Sequence, residues 1–372
     1  MSNPFLELAA PGVTGLQPYQ PGKPISELER EYGVSNIIKL ASNENPLGPG
    51  DAACAAIAAE IAEVARYPDG GGFELKAALS RLHDIDPERI TLGNGSNDVL
   101  VLLAEAFLTP ATEAVYSEYA FAVYPIAVQA TGACARVAPA LPADDDENPL
   151  GHDLEAMAEL LGDDTRLVFI ANPNNPTGTW VDRDELHRFL GRVPDHAIAI
   201  VDEAYFHYID AQDYPDATRW LDEFPNLVVT RTFSKAYGLA GVRVGYSLSA
   251  PGIADLLNRV RQPFNLNSLA QAAAIAALGD EAHIERSRML NNQGLEVITT
   301  ACAELGLRYV PSIGNFVLVD FDCPALPIYE ALLRDAVIVR PVGNYGLPNH
   351  LRISIGVPDE NERLIAALRK LV

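Results

Sequence analysis

The sequence predicts an α/β fold: a large domain whose central, mainly parallel sheet is flanked by helices, joined to a smaller α+β domain. Three observations predict it. The chain has 372 residues, more than one compact core usually holds, so a second domain is expected. Between residues 45 and 263, short apolar runs alternate with longer stretches of helical periodicity, the signature of parallel strands joined by crossover helices. From residue 264 to 372 the order changes to a long helical pattern, then strands interleaved with two further helices, which reads as an α+β unit.

Taken in chain order, residues 1–44 are rich in proline and glycine and read as an arm that contributes part of the small domain, with a short helix at SELEREYG and a strand at IIKLAS. The large domain at 45–263 has its clearest strands at RITLG, TRLVFIANP, HAIAIVDEAY, NLVVTRTFS and VRVGYSLS. The small domain at 264–372 begins with the helix EAHIERSRMLNNQGLEVITTACAELG. Strands LRYVP and NFVLVDF follow, then helix IYEALLRDA, strand LRISIG and a terminal helix. There is no internal repeat, and only ADDDENP has the composition of an acidic loop.

Composition excludes several classes of function. Fifty acidic against 27 basic residues give a net charge of −23, which repels nucleic acid and anionic lipid. No apolar run approaches the roughly 20 residues that a membrane helix needs, and the first residues lack a basic segment followed by an apolar core, so a cytoplasmic location is expected. Cys54, Cys134, Cys302 and Cys323 are far apart and have no histidines at metal-ligand spacing, so free thiols and no metal site are expected. Lysine is used sparingly. Between Lys76 and Lys370 every positive charge but one is arginine, and the exception is Lys235.

Ligands of open α/β sheets bind beyond the carboxyl ends of the strands, so the residues just after each apolar run carry the chemistry. Four segments qualify. In RITLGNGSNDVL, Gly93, Gly95, Ser96 and Asn97 stand between a strand and a helix, where free backbone N–H groups and the helix dipole favour a phosphate, although the same pattern also makes ordinary turns. FIANPNNPTG ends a strand in Asn172, Asn174 and Asn175 among prolines, a rigid polar loop. AIAIVDEAY places Asp202 at the end of a strongly apolar strand, where a carboxylate needs a cationic or hydrogen-bonding partner. NLVVTRTFSKAYGLAGVRVGY places Thr232, Ser234 and Lys235 after another strand, with Arg243 beyond. A lysine desolvated there becomes nucleophilic towards an aldehyde, and two hydroxyls with an arginine suit a phosphate dianion.

In this order, Asn-Pro-Thr-Gly, Val-Asp-Glu-Ala-Tyr, Ser-Lys and the downstream arginine resemble the fold-type I pyridoxal 5'-phosphate (PLP) dependent aminotransferases over most of the chain. Within them, KLASNENPLGP, RYPDG, GNGSND, NPNNPTG, RTFSKAYGLAGVRVGY and HLRISIG are similar to the histidinol-phosphate aminotransferase family. The resemblance implies exchange of an amino group between L-histidinol phosphate and 2-oxoglutarate in histidine biosynthesis, giving imidazole acetol phosphate and L-glutamate. It leaves an aromatic amino-acid aminotransferase, or a PLP-dependent decarboxylase of a phosphorylated amino acid, as alternatives.

The resemblance also implies residue roles. Lys235 carries PLP as a Schiff base and then acts as general base and acid. Asp202 pairs with the pyridinium nitrogen, and Tyr205 and Asn175 hydrogen-bond the phenolate oxygen. Tyr119 stacks on the ring, with Phe121 and Tyr124 as neighbouring aromatics. Ser96, Asn97, Thr232, Ser234 and Arg243 anchor the phosphate. Tyr67 reaches the phosphate of the neighbouring subunit, which implies a homodimer with shared active sites. Arg352 binds a substrate anion, and Tyr19, Asn43 and Arg340 line the same substrate pocket.

Overall fold

The computed structural model describes residues 3–372. The strands are β1 (Ile38–Lys39), β2 (Ile90–Gly93), β3 (Glu113–Ser117), β4 (Cys134–Ala138), β5 (Thr165–Ala171), β6 (Ile198–Asp202), β7 (Leu227–Thr232), β8 (Gly245–Leu248), β9 (Arg308–Val310), β10 (Phe316–Asp320), β11 (Val337–Ile338), β12 (Arg340–Pro341) and β13 (His350–Ser354). Seven of them form the large sheet, in the order β2-β8-β7-β6-β5-β3-β4. β8 runs antiparallel to both of its neighbours, and every other pair is parallel. β5, β6 and β7 are almost wholly buried, as strands covered on both faces must be, which explains the Val, Ile and Leu runs of β5 and β6 and of the first half of β7, whose second half buries Thr230, Arg231 and Thr232.

Two apolar cores cover the faces of this sheet. One gathers helices Phe73–His83, Arg183–Leu190 and Ser268–Leu278; the other gathers Ser96–Phe107 and Val123–Thr131 with Leu257 of Pro251–Val260. The helix Ser268–Leu278, expected within the small domain, belongs physically to the large one. Its buried Ala270, Ala273, Ala274 and Ala277 join the large-domain core, and it packs against the helix Asp51–Glu60. Alanines at this spacing make a narrow face on which another helix can settle closely.

The small domain is a four-stranded antiparallel sheet in the order β12-β13-β10-β9. Its core includes Ile298 and Cys302 from the long helix Glu281–Glu304, Leu332 from Leu326–Arg334, and Leu364 and Ala367 from Pro358–Leu368. β1 pairs in parallel with β11, so the chain passes through this domain before entering the large one. Residues 40–45 then cross between the two domains: Asn43 N donates to Ser354 Oγ (2.8 Å), and Asn45 Nδ2 donates to the Ala236 carbonyl (2.8 Å). No helix among the described residues is long and apolar enough to cross a membrane.

Candidate active site

The carboxyl ends of β5, β6 and β7, the amino end of the helix Ser96–Phe107 and the crossing segment line a cleft of about 280 Å³. Tyr19, Asn43, Ser96, Asn97, Asn175, Asp202, Tyr205, Thr232, Ser234, Lys235, Arg243 and Arg352 line it, with Ser42, Phe121, Ala171, Pro173 and Ala204. The strand-end rule therefore brings almost every expected residue to one place.

Asp202 closes β6 and is 5 % exposed. Thr230, its register neighbour on β7, donates to Oδ1 at 2.8 Å, and Tyr124 donates to Oδ2 at 2.9 Å. Burial pushes its carboxyl above the usual carboxylate range, and the two hydroxyls and Lys235 pull it back down. Lys235 Nζ donates to the Ser42 carbonyl at 3.1 Å and lies 5.7 Å from the centre of the Tyr205 ring. Desolvation, reinforced by the Arg352 guanidinium, pushes its ammonium down to about 7, so near neutral pH a large fraction is free amine.

Tyr205 and Asn175 face the same space with hydrogen-bonding capacity left. The Tyr205 hydroxyl accepts from Asn43 Nδ2 at 2.9 Å, which leaves its own hydrogen to donate; burial pushes the phenol up to about 12. Asn175 Oδ1 accepts from Arg352 Nη1 at 2.5 Å, which leaves the Asn175 NH₂ group to donate. Arg352 is 5 % exposed, its Nη2 donates to the Ala41 carbonyl at 2.6 Å, and its buried Nε has no partner among the described residues. A desolvated guanidinium without a carboxylate is costly to keep, and its pKa is pushed down by burial.

At the far end of the cleft the chain forms an anion cradle. Gly95 precedes the helix at φ 87°, and a Cβ there would fall 2.3 Å from Arg243 Nη2; a Cβ on Gly245 would fall 2.3 Å from Ser96 N. Arg243 holds a left-handed backbone at φ 64°, a conformation that costs a non-glycine residue about 1–3 kcal/mol and clusters at functional sites. Its Nη1 donates to Ser234 Oγ at 3.3 Å. Thr232, Ser234, Ser96 and Arg243 all line the cleft.

PLP fits these residues. The cradle suits a phosphate in charge and in the lack of Cβ atoms, Lys235 suits an aldehyde, and Asp202 presents a buried carboxylate held only by neutral donors. Among the described residues no group of three or more His, Cys, Asp or Glu is placed to hold a metal ion.

Three expected residues do not line the cleft. Tyr119 is a correction: its side chain packs with Leu150, Val310, Leu318, Val342 and Leu347, while Asn174 Nδ2 holds its carbonyl at 2.9 Å. Phe121, two residues on and just before the helix Val123–Thr131, is the aromatic on the cleft wall. Tyr67 is 83 % exposed and stacks on Phe264 with ring centroids 4.7 Å apart. Arg340 sits behind the lining, paired in register with Arg352 across β12 and β13, its guanidinium 5.6 Å from the centre of the Tyr19 ring. Sequence reasoning placed Tyr124 only among the aromatics near the ring and missed its hydrogen bond to Asp202; it also missed Thr230, which the alternation of Thr230 and Thr232 on β7 signals.

The family model for aminotransferase class I and II matches residues 35–368. A protein named histidinol-phosphate aminotransferase 2 from Pseudomonas fluorescens is 56 % identical over 100 % of this chain and 99 % of its own length. One of the same name from Methylococcus capsulatus is 57 % identical over 98 % of each. The crystal structure of histidinol-phosphate aminotransferase from Sinorhizobium meliloti in complex with pyridoxal-5'-phosphate superposes with a TM-score of 0.87 at 29 % identity, covering 97 % of this chain and 98 % of that one.

Proposed function

The chain belongs to the class I and II aminotransferases, and on that premise we propose that it is the PLP-dependent histidinol-phosphate aminotransferase of histidine biosynthesis. It exchanges an amino group between L-histidinol phosphate and 2-oxoglutarate, giving imidazole acetol phosphate and L-glutamate. The observation that carries the reading is the convergence of Lys235, Asp202 and Arg352 on one cleft, none of them hydrogen-bonded to an opposite charge.

Bound PLP supplies an electron sink for the pair left when the substrate carbon loses its proton. Lys235 carries the cofactor between turnovers. Its amine would move a proton between the substrate α-carbon and the cofactor C4' atom, a task suited to a group held near neutrality. With PLP bound, Asp202 would hold the proton on the ring nitrogen, the Tyr205 hydroxyl and the Asn175 amide would donate to the phenolate oxygen, and Phe121 would be the aromatic on the cleft wall beside the ring. Ser96, Asn97, Thr232, Ser234 and Arg243 bind the phosphate. Arg352 binds the carboxylate of glutamate, and Tyr19 and Asn43 form the substrate end, with the Arg340 guanidinium behind them against the Tyr19 ring.

We further propose a homodimer in the cytoplasm, with Tyr67 completing the partner's phosphate site. The exposure of Tyr67 away from its own cleft supports the first part, and four free thiols, three of them exposed, support the second. The test is the visible absorption of the PLP-loaded protein under single turnover. Glutamate should remove the band and imidazole acetol phosphate should restore it; restoration only by an aromatic keto acid overturns the substrate assignment, and carbon dioxide release would mark a decarboxylase.

A further inference from the structure

Asp202 is gripped on both oxygens by groups that never touch the substrate. Tyr124 is fully buried in the helix Val123–Thr131, stacked on Phe169 with centroids 4.6 Å apart and meeting Phe121 edge-on at 5.8 Å. Its hydroxyl reaches Oδ2 at 2.9 Å, and the fully buried Thr230 reaches Oδ1 at 2.8 Å. We infer that Tyr124 and Thr230 are positioning residues, one hydrogen bond to each oxygen of Asp202, which keep the carboxylate ionised and aimed so that it binds a protonated ring nitrogen.

The chemistry of the donors is the argument. An arginine or lysine in their place would neutralise Asp202 and remove its attraction for a pyridinium; hydroxyls stabilise the anion and leave its charge unspent. Each carboxylate oxygen retains a free lone pair after accepting one bond. Tyr124 also touches Phe121, so one side chain braces both the ring-facing wall and the carboxylate. Tyr205, Tyr214 and Lys235 are the other titratable groups that act on Asp202.

The inference rests on the cleft being a PLP site, and its test separates the two. Full-length, cofactor-stripped wild type, Tyr124→Phe and Thr230→Val are titrated with PLP and with its 1-deaza analogue, in which carbon replaces the ring nitrogen. Each variant should bind PLP about tenfold or more weakly, the cost of one hydrogen bond to a charged group, with little or no loss for the analogue. A merely structural role predicts equal losses for both ligands, and that result, or no loss with PLP, overturns the inference. Should one variant fail to fold, the other decides. Failure of the wild type to bind PLP sinks the functional reading and this inference together, whereas wild-type binding with unselective variants sinks the inference alone.

Discussion

Asp202 and Glu203 are sequence neighbours at the end of β6 and look out on opposite faces of the sheet, with opposite electrostatic treatment. Asp202 faces the cleft and accepts from two neutral hydroxyls. Glu203 is held in an ion pair: its Oε2 accepts from Arg231 Nε and Nη2 at 2.8 and 2.6 Å, and its Oε1 from Ala217 N at 3.0 Å. Asp216 takes a further bond from Arg231 at 2.7 Å, and Phe206 lies 3.5 Å beneath the guanidinium carbon. The arginines repeat the contrast, since Arg231 meets two carboxylates and Arg352 meets only an amide oxygen and a carbonyl. Burial opposes the charge of both carboxylates, and even beside Arg231 the Glu203 carboxyl is pushed up to about 7. Charges on the paired side are spent within the protein and serve the fold; those on the cleft side remain available to a ligand.

Neutralising each carboxylate in turn is the sharpest way to break this comparison. Asp202→Asn should cut turnover by about 10²–10³-fold, the scale of losing one preorganised electrostatic contact, without lowering thermal stability. Glu203→Gln should do the reverse, costing about 3 kcal/mol of stability as Arg231 loses its closest partner, with turnover per folded molecule nearly unchanged. Melting curves beside single-turnover rates decide it, and equal behaviour of the two variants would dissolve the contrast.

Arg352→Gln sharpens the comparison at the other charge. Loss of a charge-assisted contact worth about 1.5–3 kcal/mol should lower kcat/KM for glutamate by about 10- to 100-fold while leaving PLP affinity almost untouched. A matching loss in PLP affinity would assign Arg352 to the cofactor.

The smallest effect is one of pH. The Lys235 amine must be unprotonated to attack an aldehyde, and its depressed pKa means that covalent capture of PLP by the cofactor-free protein should rise with pH to a midpoint near about 7. An ordinary lysine would put that midpoint near about 10.4. Stopped-flow absorbance across the range distinguishes the two.

Much of this was legible along the chain. Asn175, Asp202, Ser234 and Lys235 all stand at or just beyond the carboxyl ends of buried strands that open on apolar runs, and such strands in an α/β pattern make the site at those ends. Strands β3 and β4 were harder to read. β4 is an edge strand with Cys134, Ala135, Arg136 and Val137 all exposed, so its sequence carries no buried-strand run. The alanine-rich helix Ser268–Leu278 falls within the range 264–372 expected for the small domain, and its place in the large one is hidden from the local sequence because its packing partner, Asp51–Glu60, lies more than 200 residues earlier.

By itself the sequence determined the fold class, the cofactor chemistry and the residues at the strand ends, because apolar periodicity and short motifs are local properties. Tertiary structure alone decided that Phe121 and not Tyr119 walls the cleft, that Tyr124 reaches Asp202 from 78 positions away, and which buried charges find a counter-ion. Direction and partnership of a side chain depend on what distant segments place beside it, and neither is written in its neighbours along the chain.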